Sequence, residues 1–330
     1  MPTIVRFHSL GGPENLKLEE LPTQKPAKGE VRLSVQAVGL NRADSMYYHG
    51  RYLEEAQLPS RLGNEVAGIV EEAGEGVDKS WVGKSVATIP GYSHNRYGSL
   101  GEEAIVPVEE LAEYPANLTP IQAAAAWMQL TTAYGALVHL GSVKTGDFVS
   151  IPAASSSVGL AAIQVARDSD ATAIAVTRTP AKRAELLELG ANHVIVTDEE
   201  DYVARVEEIT AGKGVRVTFD PVAGPFVEQL ALAATPGGIL IEYGALSPEP
   251  TPFPLFAAFR KALSMRAYSI YEIKAVPALL DGAKRYIFDR LLDGRFLPKI
   301  AKTFPLKQTV EAYRYLESNQ QVGKVVITVP

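Results

Sequence analysis

The sequence predicts an α/β fold in which a doubly wound domain built on a parallel sheet follows a mostly β domain. The first third of the chain carries β-branched runs at residues 31–38, 65–71 and 85–89, separated by Gly and Pro clusters. Such a pattern is typical of antiparallel strands. After Pro120 predicted strands alternate with predicted helices instead, and this alternation favours a parallel sheet with helices on its faces.

The elements of the second domain follow from local patterns. The Ala-rich segment 121–140 is predicted to be helical, and the segment 157–168 has apolar residues at helical spacing. A helix is also predicted at 180–189, because Thr179-Pro180 is a typical helix start and Gly190 a typical stop. Five strands are predicted, at residues 148–152, 173–177, 193–196, 216–220 and 238–243.

The C-terminal tail has a mixed pattern and ends in an apolar strand at residues 324–329. We expect this strand to rejoin the first domain. The predicted domains are therefore residues 1–120 together with 270–330, and residues 121–269.

Composition and charge argue against several classes of protein. With 330 residues, of which 46% are hydrophobic and 21% charged, the chain is long enough for two domains with buried cores. A net charge of −6 without a basic stripe argues against a nucleic-acid partner. No apolar leader and no apolar run of the roughly 20 residues that a membrane span needs are present, so we expect no membrane partner and a cytoplasmic location. The chain has no cysteine, and no two of its five histidines are close enough in sequence to suggest a metal pair.

A turn of small residues follows the strand predicted at 148–152. In a dinucleotide-binding (Rossmann) domain this first βα turn carries three glycines, of which only Gly159 is present here. Alanine and serine are small enough to bring backbone N–H groups close to a pyrophosphate, which makes Ser155, Ser156, Ser157 and Val158 candidate contacts. The alternative is an ordinary turn between a strand and a helix. The position of the turn in the predicted fold favours the phosphate loop.

The end of the next predicted strand bears on the choice of cofactor. An NAD-preferring enzyme places an acidic residue there for the ribose 2′-hydroxyl, but this chain has Thr177 and Arg178, followed by Lys182. A cation in the first turn of a helix is disfavoured by the helix dipole, and binding the 2′-phosphate of NADPH would explain it. The alternative is that Arg178, Lys182 and Arg183 form a solvated face.

Six separated segments match one known family in order and spacing. They are Gly39-Leu40-Asn41 with Asp44, residues 61–70, Gly98-Ser99-Leu100-Gly101-Glu102, Leu130-Thr131-Thr132-Ala133-Tyr134, the loop 153–159 and residues 182–191. On these segments the whole chain resembles the medium-chain dehydrogenase/reductase family, specifically its zinc-free quinone oxidoreductase branch. The resemblance implies a GroES-like catalytic domain made from both chain ends, a central Rossmann domain, and a cofactor in the cleft between them.

The zinc-dependent branch of that family differs from this chain at both metal positions. It carries a cysteine where this chain has Arg42-Ala43, and a histidine where this chain has Asn64. Asparagine is a poor zinc ligand, and the four-cysteine structural zinc site is absent as well. We therefore expect chemistry without a metal.

The resemblance also implies roles for individual residues. Asn41 and Thr132 would lie near the nicotinamide, and Tyr52 would line the substrate cleft. Our own hypothesis is that Tyr52 donates to the substrate oxygen, and that the proton comes from Tyr52 or from water. The alternative for Tyr52 is packing within the aromatic run Tyr47-Tyr48-Tyr52, which is the usual role of aromatic clusters. In the tail, where relatives often offer an arginine to the 2′-phosphate, Lys324 is the available cation.

Two loops at the carboxyl ends of predicted strands are further candidates for cofactor contacts, because ligands of an open α/β sheet collect there. They contain Val222, after the fourth strand, and Gly244, after the fifth. The apolar, Pro-rich segment 247–259 is expected to form a wall of the substrate cleft or a subunit contact. Relatives of this kind are commonly dimers through the edge of the Rossmann sheet, so a homodimer is expected.

The expected activity is hydride transfer from NADPH to a quinone or to an α,β-unsaturated carbonyl compound. Two alternatives stay open at this point. One is an NADPH-binding regulatory or structural protein with weak turnover, since a fold does not fix a function. The other is a carbonyl or secondary-alcohol oxidoreductase, which the missing zinc ligands disfavour.

Overall fold

The computed structural model describes residues 1–330 and divides into two compact units. The first unit comprises residues 1–128 and 284–330, and the second comprises residues 129–283. The strands are β1 (Thr3–Phe7), β2 (Leu16–Glu20), β3 (Glu30–Gly39), β4 (Ser60–Arg61), β5 (Val66–Ala73), β6 (Ser85–Thr88), β7 (Glu103–Pro107), β8 (Leu111–Glu113), β9 (Phe148–Ile151), β10 (Thr172–Thr177), β11 (His193–Val196), β12 (Val215–Asp220), β13 (Ala234–Glu242), β14 (Ser264–Ala267), β15 (Ile300–Pro305) and β16 (Lys324–Thr328). The helices are α1 (Arg42–Tyr48), α2 (His94–Tyr97), α3 (Pro120–Ala123), α4 (Trp127–Ala133), α5 (Ser157–Asp168), α6 (Arg183–Glu188), α7 (Tyr202–Thr210), α8 (Val227–Ala233), α9 (Leu255–Lys261), α10 (Tyr271–Lys274), α11 (Pro277–Leu292) and α12 (Thr309–Glu317).

The first boundary lies after residue 128 where we expected 120, and the second after residue 283 where we expected 269. The two boundaries are therefore 8 and 14 residues beyond the expected ones. The Ala-rich segment belongs to the first unit up to Met128, whose N–H donates to Glu65 Oε1 at 2.8 Å. At the second boundary, Lys284 Nζ donates to the carbonyls of Glu109 and Leu111 at 3.2 and 3.3 Å. Each boundary falls inside a helix, α4 or α11, so no change in composition marks it.

The first unit contains two sheets. One has seven strands in the order β15-β16-β3-β5-β6-β8, with β7 also paired to β3, and the other has the order β2-β1-β4. The pairing is antiparallel except between β15 and β16. Strand β16 pairs with β3 through Val326 and Gly39, which confirms that the C-terminal strand rejoins the first domain. The core of this unit is rich in Val, Leu and Tyr, with Tyr47 and Tyr48 of α1 fully enclosed.

The second unit is a doubly wound α/β domain, as predicted. Its six strands are all parallel in the order β11-β10-β9-β12-β13-β14. The five predicted strands coincide with β9 to β13 to within a few residues, whereas the edge strand β14 was missed. Helices on both faces bury the Val-rich and Ile-rich strands, which explains their near-continuous apolar sequences.

The segment 121–140 is not one continuous helix. It forms α3 and α4 and then a π-helical turn over Tyr134–Leu140. Gly135 lies at the start of this turn, where a Cβ atom would be 2.0 Å from the hydroxyl of Tyr268. The close approach of Tyr268 therefore requires glycine here, which a search for helical periodicity does not detect. No helix of the chain combines the length and the apolar character that crossing a membrane requires.

Candidate functional site

The loop between β9 and α5 has the geometry of a phosphate loop although two of its glycines are replaced. Ser156 is the N-cap of α5, and its Oγ accepts from the N–H of Gly159 at 3.0 Å. Ala153 takes the left-handed conformation with φ of +49°. A Cβ atom on Gly159 would lie 2.6 Å from the carbonyl oxygen of Ala154, so the one retained glycine is at the contact that tolerates no side chain. The free N–H groups at the start of this 12-residue helix form an anion-binding end.

A lysine from the following βα connection reaches this loop. Lys182 Nζ donates to Ser155 Oγ at 2.9 Å, and Lys182 is half-buried. Burial, followed by the positive charge of Arg178, lowers the pKa of Lys182. Arg183 points elsewhere, because it pairs with Glu199 and Glu200 at 3.4 and 3.1 Å. The structure thus separates Arg183, which forms surface ion pairs, from Arg178 and Lys182, whose positive charges lie close enough to repel each other.

The remaining candidates of the second unit lie near the same sheet end or in α4. Asp220, the last residue of β12, accepts from the N–H groups of Val222 and Ala223 at 2.8 and 3.0 Å and so fixes that loop. Gly244 packs against the same loop, where a Cβ atom would be 2.8 Å from the carbonyl oxygen of Pro221. Thr177 ends β10, while Thr132 is buried in α4. The loops that contain Ser155, Thr177, Val222 and Gly244 therefore share the carboxyl end of the sheet, the ligand-binding end in open α/β folds.

A pair of buried carboxyl groups, missed in the sequence, lies at this sheet end. Asp220 and Glu242 are direct neighbours in the pairing of β12 and β13. Both oxygens of Glu242 are buried, and the side chain that interacts with them is that of Asp220. Burial, followed by the charge of Asp220, raises the pKa of Glu242 to about 9, and burial raises that of Asp220. At neutral pH one proton is therefore retained by the pair.

In the first unit, Asn41 belongs to a buried polar cluster. Lys324 Nζ donates to Glu65 Oε2 at 2.5 Å and to Asn41 Oδ1 at 2.6 Å. Asn41 Nδ2 donates to Glu65 Oε2 and to the carbonyl of Gly39, both at 3.2 Å. Lys324 is 1% exposed and Glu65 is fully buried. The ammonium of Lys324 is therefore not available to a 2′-phosphate, which corrects the expectation for this residue.

Tyr52 lies in the loop after α1, on a second buried cluster of the first unit. Its ring meets those of Tyr47 and His94 edge to face, with centroids 6.3 and 5.3 Å apart. His94 is 1% exposed, stacks on Tyr47, and bonds through Nε2 to Asp44 Oδ1 at 3.1 Å. Burial lowers the pKa of His94, but Asp44 and Glu54 outweigh it, so the net pKa is raised. The packing expected as the alternative for Tyr52 is thus present, and its side chain is also partly exposed to solvent.

Sequence reasoning missed Glu65, His94 and Glu242. Glu65 and Lys324 are 259 residues apart, and His94 and Asp44 are 50 apart, so no local spacing could reveal these pairs. Asp44 also orders its own loop, since its Oδ2 accepts from the N–H of Asn41 at 2.9 Å. The additional bond to His94 was not foreseen.

Two domain families of known proteins match this chain. The alcohol dehydrogenase GroES-like domain matches residues 27–116, and the zinc-binding dehydrogenase domain matches residues 157–285. Quinone oxidoreductase 1 of Escherichia coli (strain K12) is 31% identical over 330 residues, covering 99% of both chains. The chain belongs to the medium-chain dehydrogenase/reductase family. The relatives place it in the zinc-free quinone oxidoreductase branch.

A further relative and a solved structure support the same branch. The 2-haloacrylate reductase of Burkholderia sp. is 30% identical over 328 residues, covering 97% of both chains. The crystal structure of Escherichia coli quinone oxidoreductase complexed with NADPH has a TM-score of 0.90 at 30% identity, with 99% of both chains covered. The similarity therefore extends over both units.

Asn64, where the resemblance implies a zinc-ligating histidine in the zinc-dependent branch, has both of its polar atoms engaged. Its Nδ2 donates to the carbonyl of Tyr92 at 2.7 Å, and its Oδ1 accepts from the N–H of Gly91 at 2.5 Å. Asn64 is 2% exposed. The side chain thus holds the segment that leads into α2, a structural role in the place of a metal ligand.

The raised pKa of Glu242 predicts a pH-dependent stability. In the unfolded chain its pKa is near 4.5, so between that value and about 9 unfolding releases a proton that the folded protein retains. Stability is therefore lost as the pH rises through this window and stays level above it. Glu242→Gln should raise the free energy of unfolding at pH 8 by roughly 1 to 3 kcal/mol, with a much smaller gain at pH 5.

Urea unfolding of both proteins at the two pH values measures this difference. Glu228→Gln, at an exposed position on α8, is the matched control and should change little at either pH. An equal effect of Glu242→Gln at pH 5 and pH 8 would contradict the retained proton.

Proposed function

We propose that this chain transfers hydride from NADPH to a quinone or to an α,β-unsaturated carbonyl compound, without a metal. The observation that carries the proposal is the contact of Lys182 with Ser155, which brings a second cation beside Arg178 at the phosphate loop. The names of the relatives support the reaction class: two are quinone oxidoreductases, and 2-haloacrylate is an α,β-unsaturated carboxylate.

The preference for NADPH follows from electrostatics. Arg178 and Lys182 repel each other, and partial burial of Lys182 adds to the cost of keeping its ammonium charged. A 2′-phosphate carries nearly two negative charges and accepts several charge-assisted hydrogen bonds, so it would relieve both costs. NADH has only a 2′-hydroxyl in that place and would leave them. The two cations therefore favour NADPH over NADH.

The residues of the second unit fit the other parts of the cofactor. The N-terminus of α5 with Ser155, Ser156, Ser157 and Val158 would hold the pyrophosphate, since these residues are partly exposed and the helix end attracts anions. When bound, NADPH supplies the hydride. The other proposed cofactor contacts are Thr132, Thr177, Val222, Gly244 and Asn41.

Tyr52 is our proposed donor to the substrate oxygen. Reduction of a quinone or an enone places negative charge on that oxygen, and without a metal a hydrogen-bond donor must stabilise it. The stacked rings of Tyr47 and His94 both pack edge to face on the ring of Tyr52, and Asp44 fixes His94. His94 and Asp44 are thus positioning residues for Tyr52.

We also propose that the protein is a homodimer through the second unit. Strand β14 is an edge strand with three of its four residues exposed. On the neighbouring α9, Phe256 and Phe259 are each 74% exposed. Unpaired strand edges and large exposed aromatic residues are costly in an isolated protein, and a second copy would cover both.

Cofactor titration tests the role of Lys182. Lys182→Met should weaken NADPH binding about 10- to 100-fold and leave NADH binding nearly unchanged, because only NADPH offers the phosphate. Fluorescence titration of both cofactors measures this. Lys213→Met, at an exposed turn of the second unit, is the control. Equal loss for both cofactors would make Lys182 a structural residue, and no binding of either by the wild type would reject the proposed function.

Kinetics with 1,4-benzoquinone and 2-cyclohexenone test the reaction and Tyr52 together. The wild type should oxidise NADPH with at least one acceptor well above the rate without enzyme. Tyr52→Phe should lower kcat about 10- to 100-fold without weakening NADPH binding, because it removes only the proton donor. Tyr315→Phe, where the ring packs on Phe304, should leave kcat unchanged. Unchanged kinetic constants for Tyr52→Phe would remove this residue from the reaction.

Light scattering coupled to size exclusion tests the dimer. The wild type should elute with the mass of two chains, and the double variant Phe256→Glu with Phe259→Glu should elute as a monomer, since two buried charges would oppose the contact. Leu187→Glu, at a 46% exposed position of α6, should stay dimeric. A monomeric wild type at micromolar concentration would refute this assembly.

A further inference from the structure

We propose that the first unit binds a small organic anion, one that carries a phosphate or carboxylate group, in a cavity lined by Arg6, Arg61 and Arg96. The cavity is an open surface cleft with a volume of about 430 Å³, and it is also lined by Thr23, Gln24 and Pro59. Sites for small molecules typically measure about 300 to 1,000 Å³. None of these residues belongs to the proposed NADPH or substrate contacts.

Two of the arginines are held side by side by the backbone. Strands β1 and β4 pair in antiparallel fashion with Arg6 directly opposite Arg61. Like charges at directly opposite positions of a sheet destabilise it. Burial, followed by the charge of Arg6, lowers the pKa of Arg61. The fold therefore maintains a repulsive pair that a bound anion would neutralise.

The three guanidinium groups differ in their partners. Arg6 pairs with Glu19 at 3.1 Å, and Arg96 pairs with Glu30 at 3.0 Å. Arg61 alone makes no ion pair and donates no side-chain hydrogen bond, although it is only partly exposed to solvent.

The acidic residue that attracts Arg61 already has other partners. Glu103 attracts Arg61 electrostatically. However, Glu103 Oε1 pairs with Arg32 and accepts from Thr23 Oγ1, both at 3.2 Å. The fork of N–H donors on Arg61 is thus left for an acceptor from outside the chain. Phosphate and carboxylate groups match that fork through two parallel hydrogen bonds.

The backbone around Arg61 is fixed before any ligand binds. A Cβ atom on Gly98 would lie 2.4 Å from the Cβ of Arg61, so the loop around Gly98 packs directly on this residue. The adjacent Ser60 bonds to the hydroxyl of Tyr47 at 2.7 Å. An anion would therefore meet an arginine whose main chain needs no rearrangement, which lowers the entropic cost of binding. Pro22 and Pro59 offer an apolar wall for the carbon part of such a ligand.

Phenyl phosphate and benzoate are suitable probes, because they carry the two head groups on the same ring. Calorimetric titration of the full-length protein should show saturable binding of at least one probe, and Arg61→Met should weaken it at least tenfold. Arg314→Met, on the exposed face of α12, should bind as the wild type does. NADPH affinity should be the same in all three proteins, which separates this site from the proposed function.

Thermal unfolding in low-salt buffer provides a second measurement. Without a probe, Arg61→Met should unfold at a higher temperature than the wild type, because the repulsion with Arg6 is removed. Arg61→Lys keeps the charge but not the fork, so it should keep the lower midpoint and lose most of the stabilisation by the probe. Equal stabilisation of the wild type and Arg61→Met by a probe, or none of the wild type beyond that given by sodium chloride at matched ionic strength, would overturn the proposal.

Discussion

The buried contact of Lys324 with Glu65 and Asn41 is the constraint on which the first unit depends. It joins the start of the C-terminal strand β16 to the segment before β5 and to the residue before α1. Because all three side chains are buried, removal of one partner would leave a charge or a polar group without compensation, at a cost of about 3 to 5 kcal/mol for a charge. The C-terminal segment of the first unit is thereby joined to Asn41, the residue that precedes α1 and the loop with Tyr52.

Charge is distributed unevenly along the carboxyl end of the parallel sheet. Arg178 and Lys182 follow β10 on one side of the central strand β9, whereas Asp220 and Glu242 end β12 and β13 on the other side. A dinucleotide is a polyanion at its phosphates and far less charged at its nicotinamide. Because the carboxyl pair retains a proton, the carboxyl ends of β12 and β13 carry less negative charge. A polyanion bound there would therefore meet less repulsion.

The parts of the fold that the sequence predicted correctly depend on local patterns. Strands β9 to β13 alternate with helices, and their positions follow from apolar runs and from markers such as Thr179-Pro180 and Gly190. The edge strand β14 is short and mostly exposed, and its sequence of two polar and two apolar residues gives no such pattern. The role of Lys324 could not be predicted, because its partner lies 259 residues away and a lysine near a chain end resembles a surface cation. The phosphate loop was located by its place in the order of elements, since its composition is unusual.

Without zinc ligands, another group must stabilise the charge on the substrate oxygen in the proposed reaction. A metal would polarise the substrate oxygen by its charge. Asn64 instead forms hydrogen bonds with both of its polar atoms to the backbone of Gly91 and Tyr92. That backbone leads directly into α2, whose first residue is His94. His94 in turn supports the ring of Tyr52. Asn64 thus helps to hold the segment that positions the proposed proton donor.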